Sequence, residues 1–235
     1  MHMLGPLSPL DFLALAVLVL AWFLTGWLSV HPPAGRPSVT VLMAQYRRDW
    51  MEQFVTRQPR IFDASIIDSL RQGTAFFVST CLIAIGGGVA LIGDPTPLAN
   101  LASDINAETA LPLVADQALI KIKVIVVLFF LAEALLKFIW SHRVFGYCAI
   151  LMAAVPNDPA DPVAQHRAAQ AAEVNIQAAK GFNSGLRSIY FALGTLAWLI
   201  GPLALITATV FVTGVQLRRE FFSHSRRAIL DRGPV

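Results

Sequence analysis

Apolar residues occur in four long runs, separated by shorter polar segments. The runs cover residues 10–30, 74–93, 118–140 and 189–215. Each is longer than the roughly 18 apolar residues that a helix needs to cross the hydrocarbon of a bilayer. The pattern predicts an all-α, polytopic integral membrane protein, built as a helical bundle with three or four full spans. We expect a single integral membrane domain over residues 1–235.

Two polar segments between the runs have helical patterns of their own. In residues 41–58, apolar and aromatic side chains recur at spacings of three and four, with charged side chains between them. This pattern predicts an amphipathic helix, with Arg47, Arg48 and Trp50 as anchors in the membrane interface. Packing of this helix on the protein's own spans is the alternative. Residues 164–187 are rich in alanine, the best helix former, and predict a cytoplasmic helix.

The last apolar run is interrupted at Gly201 and Pro202. Proline has no amide hydrogen, and its ring clashes with the preceding helical turn, so the pair predicts a helix break. The run then has two possible courses. It crosses the membrane as one kinked helix, or it turns back at the break as two half-depth helices and leaves on the side that it entered.

The distribution of basic residues favours the return. Residues 31–72 contain six arginines, whereas residues 94–117 contain neither arginine nor lysine. By the positive-inside rule the first segment is cytoplasmic and the second is external, which places the N-terminus outside. A single final crossing would leave five C-terminal arginines outside, and a return keeps them in the cytoplasm. They are Arg218, Arg219, Arg226, Arg227 and Arg232.

Composition narrows the classes of function. Hydrophobic residues make up 56% of the 235 and charged residues only 14%, against roughly 25% charged residues in soluble domains. The net charge is +3, but the arginines flank apolar runs. We therefore expect membrane lipids as partners and no nucleic acid, with a location in the bacterial cytoplasmic (inner) membrane as a multi-pass protein.

No catalytic motif accompanies these spans. The sequence has no phosphate-binding loop, dinucleotide fingerprint, zinc-protease motif or nucleophile elbow. Asp63, Asp68 and His142 lie near the predicted cytoplasmic interface without the spacing of a triad or a metal site. Cys81 and Cys148 also lack metal-type spacing, and we expect both to be buried as free thiols. We expect no catalytic or metal residues, no cofactor and no enzymatic activity.

Charged residues inside the third run are the candidate functional groups. Glu133 and Lys137 are four residues apart, so they share one face of a helix, with Glu in the favourable position before Lys. Charges within a span are costly and face the bundle interior, a partner or water. The two form a structural ion pair or a relay for protons or ions. Lys121 and Lys123, at the outer end, are expected to meet lipid headgroups.

Small residues point to close contacts between helices. The stretch "IGGGVALIG" lies within the second run, and "GFNSG" precedes the fourth. Small residues let membrane helices approach closely, so both stretches predict helix packing and favour self-association or binding of another membrane protein.

Several motifs together resemble a known family. They are "HPPAGRPSV", "RRDWM", "RIFDASIIDSLRQGTAFFVSTCLIAIGG", "LLKFIWSHRVFGYCAIL", "FNSGLRSIYFALGTLAW" and "RREF". From about residue 31 to 222 the chain is similar to a bacterial and plant membrane protein family known only as a domain of unknown function, number five-nine-nine. The resemblance implies a multi-span membrane protein and supplies no activity. Where the family commonly has His-Pro, this chain has Gly201 and Pro202.

Two functions from different classes are favoured over a third, a membrane enzyme that acts on lipid through Asp63, Asp68 and His142. The intramembrane glutamate, the broken last run and the small-residue faces favour a homo-oligomeric channel or transporter for a small ion or solute. The alternative is an accessory or assembly subunit that binds a larger membrane complex through its amphipathic helix and small-residue faces. A foreign partner retained in mild detergent separates the second from the first.

Overall fold

The computed structural model describes residues 7–109 and 116–231, and every regular element in this part of the chain is helical. Arg232, one of the five C-terminal arginines, lies outside the described residues. A short 3₁₀ helix, Leu196–Leu199, accompanies eight α-helices. These are α1 Pro9–Val30, α2 Val39–Thr56, α3 Ile61–Gly93, α4 Thr96–Thr109, α5 Gln117–Ala153, α6 Ala164–Thr195, α7 Pro202–Phe221 and α8 His224–Leu230.

Two of these helices, α1 and α3, are long and apolar enough to cross a membrane. The most apolar 18-residue window of each has a mean hydropathy of 2.2. Only 22% of that window is buried in α1, and only 6% in α3. The core helix of a soluble protein is mostly buried, and these two helices instead expose their apolar side chains.

The chain forms two compact units. Unit 1 contains the described residues of Met1–Trp27, Cys81–Ala134 and Leu186–Arg218. Unit 2 contains those of Leu28–Thr80, Leu135–Gly185 and Arg219–Val235. A single domain over the whole chain therefore stays a prediction.

Aromatic and branched side chains fill the core of unit 1. The buried residues come from α1, α5, α6, the 3₁₀ helix and α7. Phe130 packs edge-on against Trp22 and stacks on Phe191, with ring centroids 5.6 and 6.4 Å apart. Large side chains of this kind hold the helices apart at ordinary packing distance. The fully buried set includes Leu18, Phe130, Phe191, Trp198 and Leu205.

The chain reverses direction inside unit 1. Helix α6 ends at Thr195, and α7 begins at Pro202, the first helical position, where a missing amide hydrogen costs nothing. A Cβ atom added to Gly194 would lie 3.2 Å from Cγ2 of Val212. In a continuous helix, those two residues would be ~27 Å apart. Helix α7 therefore runs back along α6, antiparallel to it.

The two arms of this hairpin extend beyond the half-depth helices expected from the sequence, and a return of the last run within the membrane stays a prediction. Helix α6 has 32 residues and α7 has 20. Even the shorter arm measures ~30 Å, the thickness of the hydrocarbon layer. The predicted helix at 164–187 and the start of the last apolar run are one continuous helix. The alanine-rich first part of α6 and the apolar residues that follow it form one uninterrupted helix.

Small residues shape the core of unit 2. Helix α6 presents alanines at helical spacing, among them Ala164, Ala168 and Ala172, to Met51 and Met152. Two glycines of α6 also face α5. A Cβ atom on Gly185 would lie 2.8 Å from the ring of Phe138, and one on Gly181 would lie 3.5 Å from Cβ of Ser141. These residues let the backbones approach closely.

The C-terminal segment packs on α2 within unit 2. Thr40 donates hydrogen bonds to Glu220 from its backbone N (3.1 Å) and its hydroxyl (3.0 Å). Tyr46 donates to the carbonyl of Ile229 (3.4 Å), and Nε of Arg226 donates to the carbonyl of Pro37 (2.9 Å). The end of α7, helix α8 and α2 therefore lie side by side.

The three predicted interfacial anchors bind protein groups in unit 2. Arg47 donates to the side chain of Asn175, and Nε of Arg48 donates to Glu173 at 2.6 Å. The indole of Trp50 donates to Asp63, also at 2.6 Å. Helix α2 buries one face against the protein, as the alternative interpretation had it. Contact of these side chains with lipid stays a prediction.

Candidate functional site

Unit 1 buries two charged side chains among apolar helices. Asp11 is 6% exposed, and Lys123 is 1% exposed. A charge removed from water is costly unless it is hydrogen-bonded, so the partners of these groups are informative. Lys123 was expected to meet lipid headgroups, and that expectation is wrong. The aliphatic chain of Lys123 leads inward, and its ammonium group binds inside the protein.

Trp198 connects the buried acid and the buried base. The indole Nε1 of Trp198 donates to Oδ1 of Asp11 at 2.6 Å, and Nζ of Lys123 donates to the carbonyl of Trp198 at 2.6 Å. Ser8, at the start of α1, donates to Oδ2 of Asp11 from its backbone N (2.9 Å) and its hydroxyl (2.7 Å). We call Ser8, Asp11, Lys123 and Trp198 the Asp11 cluster.

A second polar group lies in the same unit, which we call the Glu133 cluster: Trp22, Glu133 and Ser188. The hydroxyl of Ser188 donates to Oε2 of Glu133. The indole of Trp22 donates to that hydroxyl at 3.1 Å. Ser188 is fully buried and Glu133 is half-buried. The carboxylate of Glu133 is therefore bonded to a side chain of another helix.

The two clusters are separate layers built on the same elements. Each draws one residue from α1, one from α5 and one from the α6 segment or the 3₁₀ helix that extends it. On each of these elements, the residue of one cluster is ten or eleven positions from the residue of the other. The two layers are therefore separated by ~15 Å along the helices. Between them lie three almost fully buried side chains, Leu18, Phe130 and Phe191.

Helix α7 carries further buried polar atoms in unit 1. Oγ1 of Thr213 and Nε2 of Gln216 are buried without a hydrogen-bond partner among the described residues. Gly194 lies beside Ala208 and Val212, and this antiparallel register places residue 216 at the level of Ser188. Buried polar atoms without protein partners are places that ordered water satisfies. Helix α7 therefore has unused capacity for hydrogen bonds inside unit 1.

Carboxylate, ammonium and hydroxyl groups in this arrangement can exchange protons. Each cluster joins a titratable carboxyl group to neutral donors across helices. Among the described residues, no group of three or more His, Cys, Asp or Glu side chains is placed to hold a metal ion.

A family model covers most of the chain. Residues 13–225 match the model described as a protein of unknown function, DUF599. The chain belongs to this family. No curated protein and no solved structure matches the chain. DUF599 membership confirms the resemblance seen in the sequence, and residues 13–225 include every residue of the two clusters except Ser8 and Asp11.

The structure places the predicted charged residues of this DUF599 member on one helix. Glu133 and Lys137 are one turn apart on α5, and both are half-buried. The hydrogen bond that defines the surroundings of Glu133 comes from Ser188. An ion pair between Glu133 and Lys137 stays a prediction.

Sequence reasoning missed the Asp11 cluster. Its members are far apart in the chain, and the indole of Trp198 reaches a carboxylate 187 positions away. One signal was available. Asp11 and Lys123 are opposite charges near the ends of two apolar runs, and such charges need a partner once both runs are placed in a membrane.

Proposed function

We propose that this DUF599 protein crosses the bacterial inner membrane five times, through α1, α3, α5, α6 and α7. The N-terminus is then external, and the segment after α7 is cytoplasmic. Two observations support this course. Helix α7 reverses along α6, and the residues after it pack on α2, which belongs to the arginine-rich segment after α1. The positive-inside rule puts both segments in the cytoplasm.

Cysteine labelling tests this topology. Ser225→Cys places an exposed thiol in α8, in a background without Cys81 and Cys148. An impermeant maleimide should leave it unlabelled in intact cells and label it once the membrane is opened. Asp94→Cys, in the acidic segment after α3, is the matched control and should be labelled in intact cells. Labelling of Ser225→Cys in intact cells contradicts the five-span topology.

We further propose that unit 1 transfers protons across the membrane. The observation that carries this proposal is the pair of buried polar layers on the same helices. Ionisable groups within a membrane mark proton and ion pathways by default. Asp11 and Glu133 are the groups that bind the proton, with Lys123 as the fixed charge beside Asp11.

The layer between the clusters favours a proton over a larger solute. Leu18, Phe130 and Phe191 are at most 1% exposed, so a hydrated ion has no space there. A proton needs only transient water between the two carboxyl groups. The unpartnered atoms of Thr213 and Gln216 on α7 give water a place to bind within unit 1.

Flux in proteoliposomes tests the proposal. The purified chain is reconstituted with a pH-sensitive dye inside, and a potassium diffusion potential drives the current. The wild-type protein should acidify the lumen faster than empty vesicles, and Glu133→Gln should lower the rate about tenfold or more, as for loss of a positioned proton carrier. Glu52→Gln, an exposed carboxylate of α2, is the control and should leave the rate unchanged.

Two results contradict proton transfer. One is a wild-type rate equal to that of empty vesicles, with the protein inserted and monodisperse. The other is an undiminished rate in the folded Glu133→Gln and Asp11→Asn variants. The same vesicles are then assayed for sodium or potassium flux in place of proton flux. This measurement separates proton transfer from a general ion channel.

The accessory-subunit hypothesis is favoured by a different observation. Gly86 and Gly87 of α3 are exposed, and a Cβ atom on either would meet nothing within 4 Å. An exposed pair of small residues on a membrane helix allows another helix to approach closely. Purification from the native membrane in mild detergent tests it: a stoichiometric foreign protein that Gly87→Leu removes supports the subunit role, and a homo-oligomer supports self-association.

A further inference from the structure

Unit 2 contains a cavity of about 350 Å³ between α2, α3 and α5. Its wall has an apolar part and a cationic part, which makes it amphipathic. Asp68 is the one carboxylate among its lining residues. The residues that matter here are Phe54, Ile67 and Met152 on the apolar side and Arg60 and Arg71 on the cationic side.

Arg60 is held rigidly by backbone carbonyls. Its terminal nitrogens donate to the carbonyls of Val155 (2.8 Å) and Pro156 (2.7 Å), and its guanidinium lies 4.4 Å over the ring of Phe54. Within the described part of the chain, no carboxylate forms a salt bridge with it. Carbonyl oxygens orient the guanidinium and leave its positive charge uncompensated.

Arg71 has no bonded partner for its guanidinium among the described residues, and its Nε atom is buried. Asp68 lies one turn before it on α3, but accepts a hydrogen bond from Gln72 at 2.6 Å. A buried N–H group left unsatisfied is costly, so a cationic donor in this state indicates a missing acceptor. The acceptor that suits it is an anion.

A second, more open groove of about 490 Å³ shares Arg71 with the cavity. Arg143 lines this groove and donates to the hydroxyl of Tyr147. Arginine is therefore present in the cavity, in the groove and where the two adjoin. Planar guanidinium groups match the oxygens of phosphate and bind them through paired hydrogen bonds.

Exposed apolar side chains accompany the arginines on the same helices. Ile61 and Phe62, at the start of α3, are 71% and 65% exposed, and Ile150 of α5 is 69% exposed. Water is a poor environment for three such side chains. Apolar groups beside cationic ones are typical of the boundary between acyl chains and headgroups. The ligand that fits both parts of the wall is amphipathic and anionic.

We propose that unit 2 binds one anionic phospholipid, with Arg71 donating hydrogen bonds to the phosphate oxygens. Arg60 supplies the second positive charge from its fixed position. The glycerol and the first carbons of an acyl chain lie against Phe54, Ile67 and Met152. This site requires that the chain resides in a membrane and is independent of proton transfer in unit 1.

Native mass spectrometry of the full chain in non-ionic detergent tests the site. Short-chain phosphatidylglycerol is titrated against phosphatidylcholine with the same acyl chains and against inorganic phosphate. The wild-type protein should bind one phosphatidylglycerol at least about tenfold more tightly than either alternative, because only this lipid offers both net charge and an apolar part. Arg71→Gln should remove that preference, and Arg71→Lys should restore it in part.

Matched variants separate the site from general surface attraction. Arg36→Gln removes an exposed charge of the same unit and should leave binding unchanged. Ala64→Trp fills the cavity without altering charge and should weaken phosphatidylglycerol binding, which keeps the test valid if Arg71→Gln fails to fold. Equal binding of both lipids, equally tight binding of inorganic phosphate, or a loss as large in Arg36→Gln overturns the proposal.

Discussion

The two units differ in how their cationic side chains are bonded. In unit 1, Trp198 joins Asp11 and Lys123, so acid and base lie in one hydrogen-bonded cluster. In unit 2, Arg60 is bonded to backbone carbonyls, and Arg71 has no bonded partner among the described residues. Unit 1 therefore joins its buried charges in one cluster. Unit 2 also pairs its buried Asp63, with Arg57, but Arg60 and Arg71 are bonded to no carboxylate among the described residues.

The two cores also differ in the size of their side chains. Unit 1 packs Trp198, Phe130 and Phe191 between helices, and unit 2 packs alanine and glycine of α6 against α5 and α2. Large side chains leave room for polar groups between helices, and small ones bring the backbones together. Each of the following substitutions tests this comparison in one of the two units.

Breaking the Asp11 cluster should have the largest effect. Lys123→Met leaves the buried carboxylate of Asp11 without the cation that Trp198 links to it, and stranding a buried charge costs up to about 3–5 kcal/mol. Lys123→Met combined with Asp11→Asn should cost less than the sum of the two single changes. The free energy of unfolding in an SDS titration measures each effect.

Lys121→Met is the control for that experiment, because Lys121 lies half-exposed on the same helix. It should change stability by less than about 0.5 kcal/mol, as most surface substitutions do. Strict additivity of Lys123→Met and Asp11→Asn would show that Trp198 does not couple the two charges.

Close packing in unit 2 should be the next most sensitive feature. Gly185→Ala places a methyl group 2.8 Å from the ring of Phe138, which is fully buried and cannot move freely. Overpacking of this kind costs about 1–3 kcal/mol. Gly146→Ala is the control in the same unit, because nothing lies within 4 Å of its added Cβ. It should stabilise its helix by about 0.5–1 kcal/mol. Equal melting temperatures for the two variants would contradict the packing account.

The thiol of Cys148 reports on the same core through its pKa. Burial raises the pKa of Cys148, and this outweighs the smaller opposing effects of the hydrogen bond from Asn175 and the charge of Arg47. Less thiolate is then present at neutral pH, so maleimide should modify Cys148 at least about tenfold more slowly than an exposed thiol such as Ser225→Cys.

A pH series sharpens that measurement. An exposed thiol is fully ionised above about pH 9.5, one unit beyond its ordinary pKa, so its rate levels there. The rate of Cys148 should still be rising at that pH, because its pKa is higher. Parallel profiles for the two thiols would mean that Cys148 is accessible and ordinary.

The exposed ion pair of unit 2 should have the smallest effect. Arg48 and Glu173 are 2.6 Å apart, with side chains 47% and 55% exposed. The hydrogen bond that Arg48 donates to Glu173 raises the pKa of Arg48, but a solvent-exposed pair of this kind contributes about 0.2–1 kcal/mol. A double-mutant cycle with Arg48→Gln and Glu173→Gln measures it. A coupling energy as large as that of Asp11 and Lys123 would remove the contrast between the units.

Much of the helical architecture follows from the sequence, because apolar runs and helix breakers act locally. The runs at 10–30 and 74–93 lie within the apolar helices α1 and α3, and the last run is interrupted beside Gly201 and Pro202. The continuity of α6 was missed because its first half is polar and its second half is apolar. A hydropathy pattern divides such a helix into two elements, although its backbone hydrogen bonds continue.

The polar clusters could not be read from the sequence in the same way. Glu133 was found because a carboxylate within a span is unusual in itself. Its partner Ser188 and the link from Asp11 to Trp198 depend on which helix faces lie together, and pattern along one chain does not give that. Arg71 was counted as one of several cytoplasmic arginines, and only the surrounding carbonyls and side chains show that it lacks an acceptor.

The tight turn between α6 and α7 has a consequence for biosynthesis. Few residues separate the two arms, so neither can be delivered to the bilayer long before the other. In the proposed topology, the second arm ends in arginines that stay behind in the cytoplasm, and its polar Thr213 and Gln216 would make it a poor solitary span. Contacts between neighbouring segments form quickly because little chain must be ordered to close them. The pair is therefore suited to enter the membrane together, as one preassembled helical hairpin, after the ribosome has released both arms.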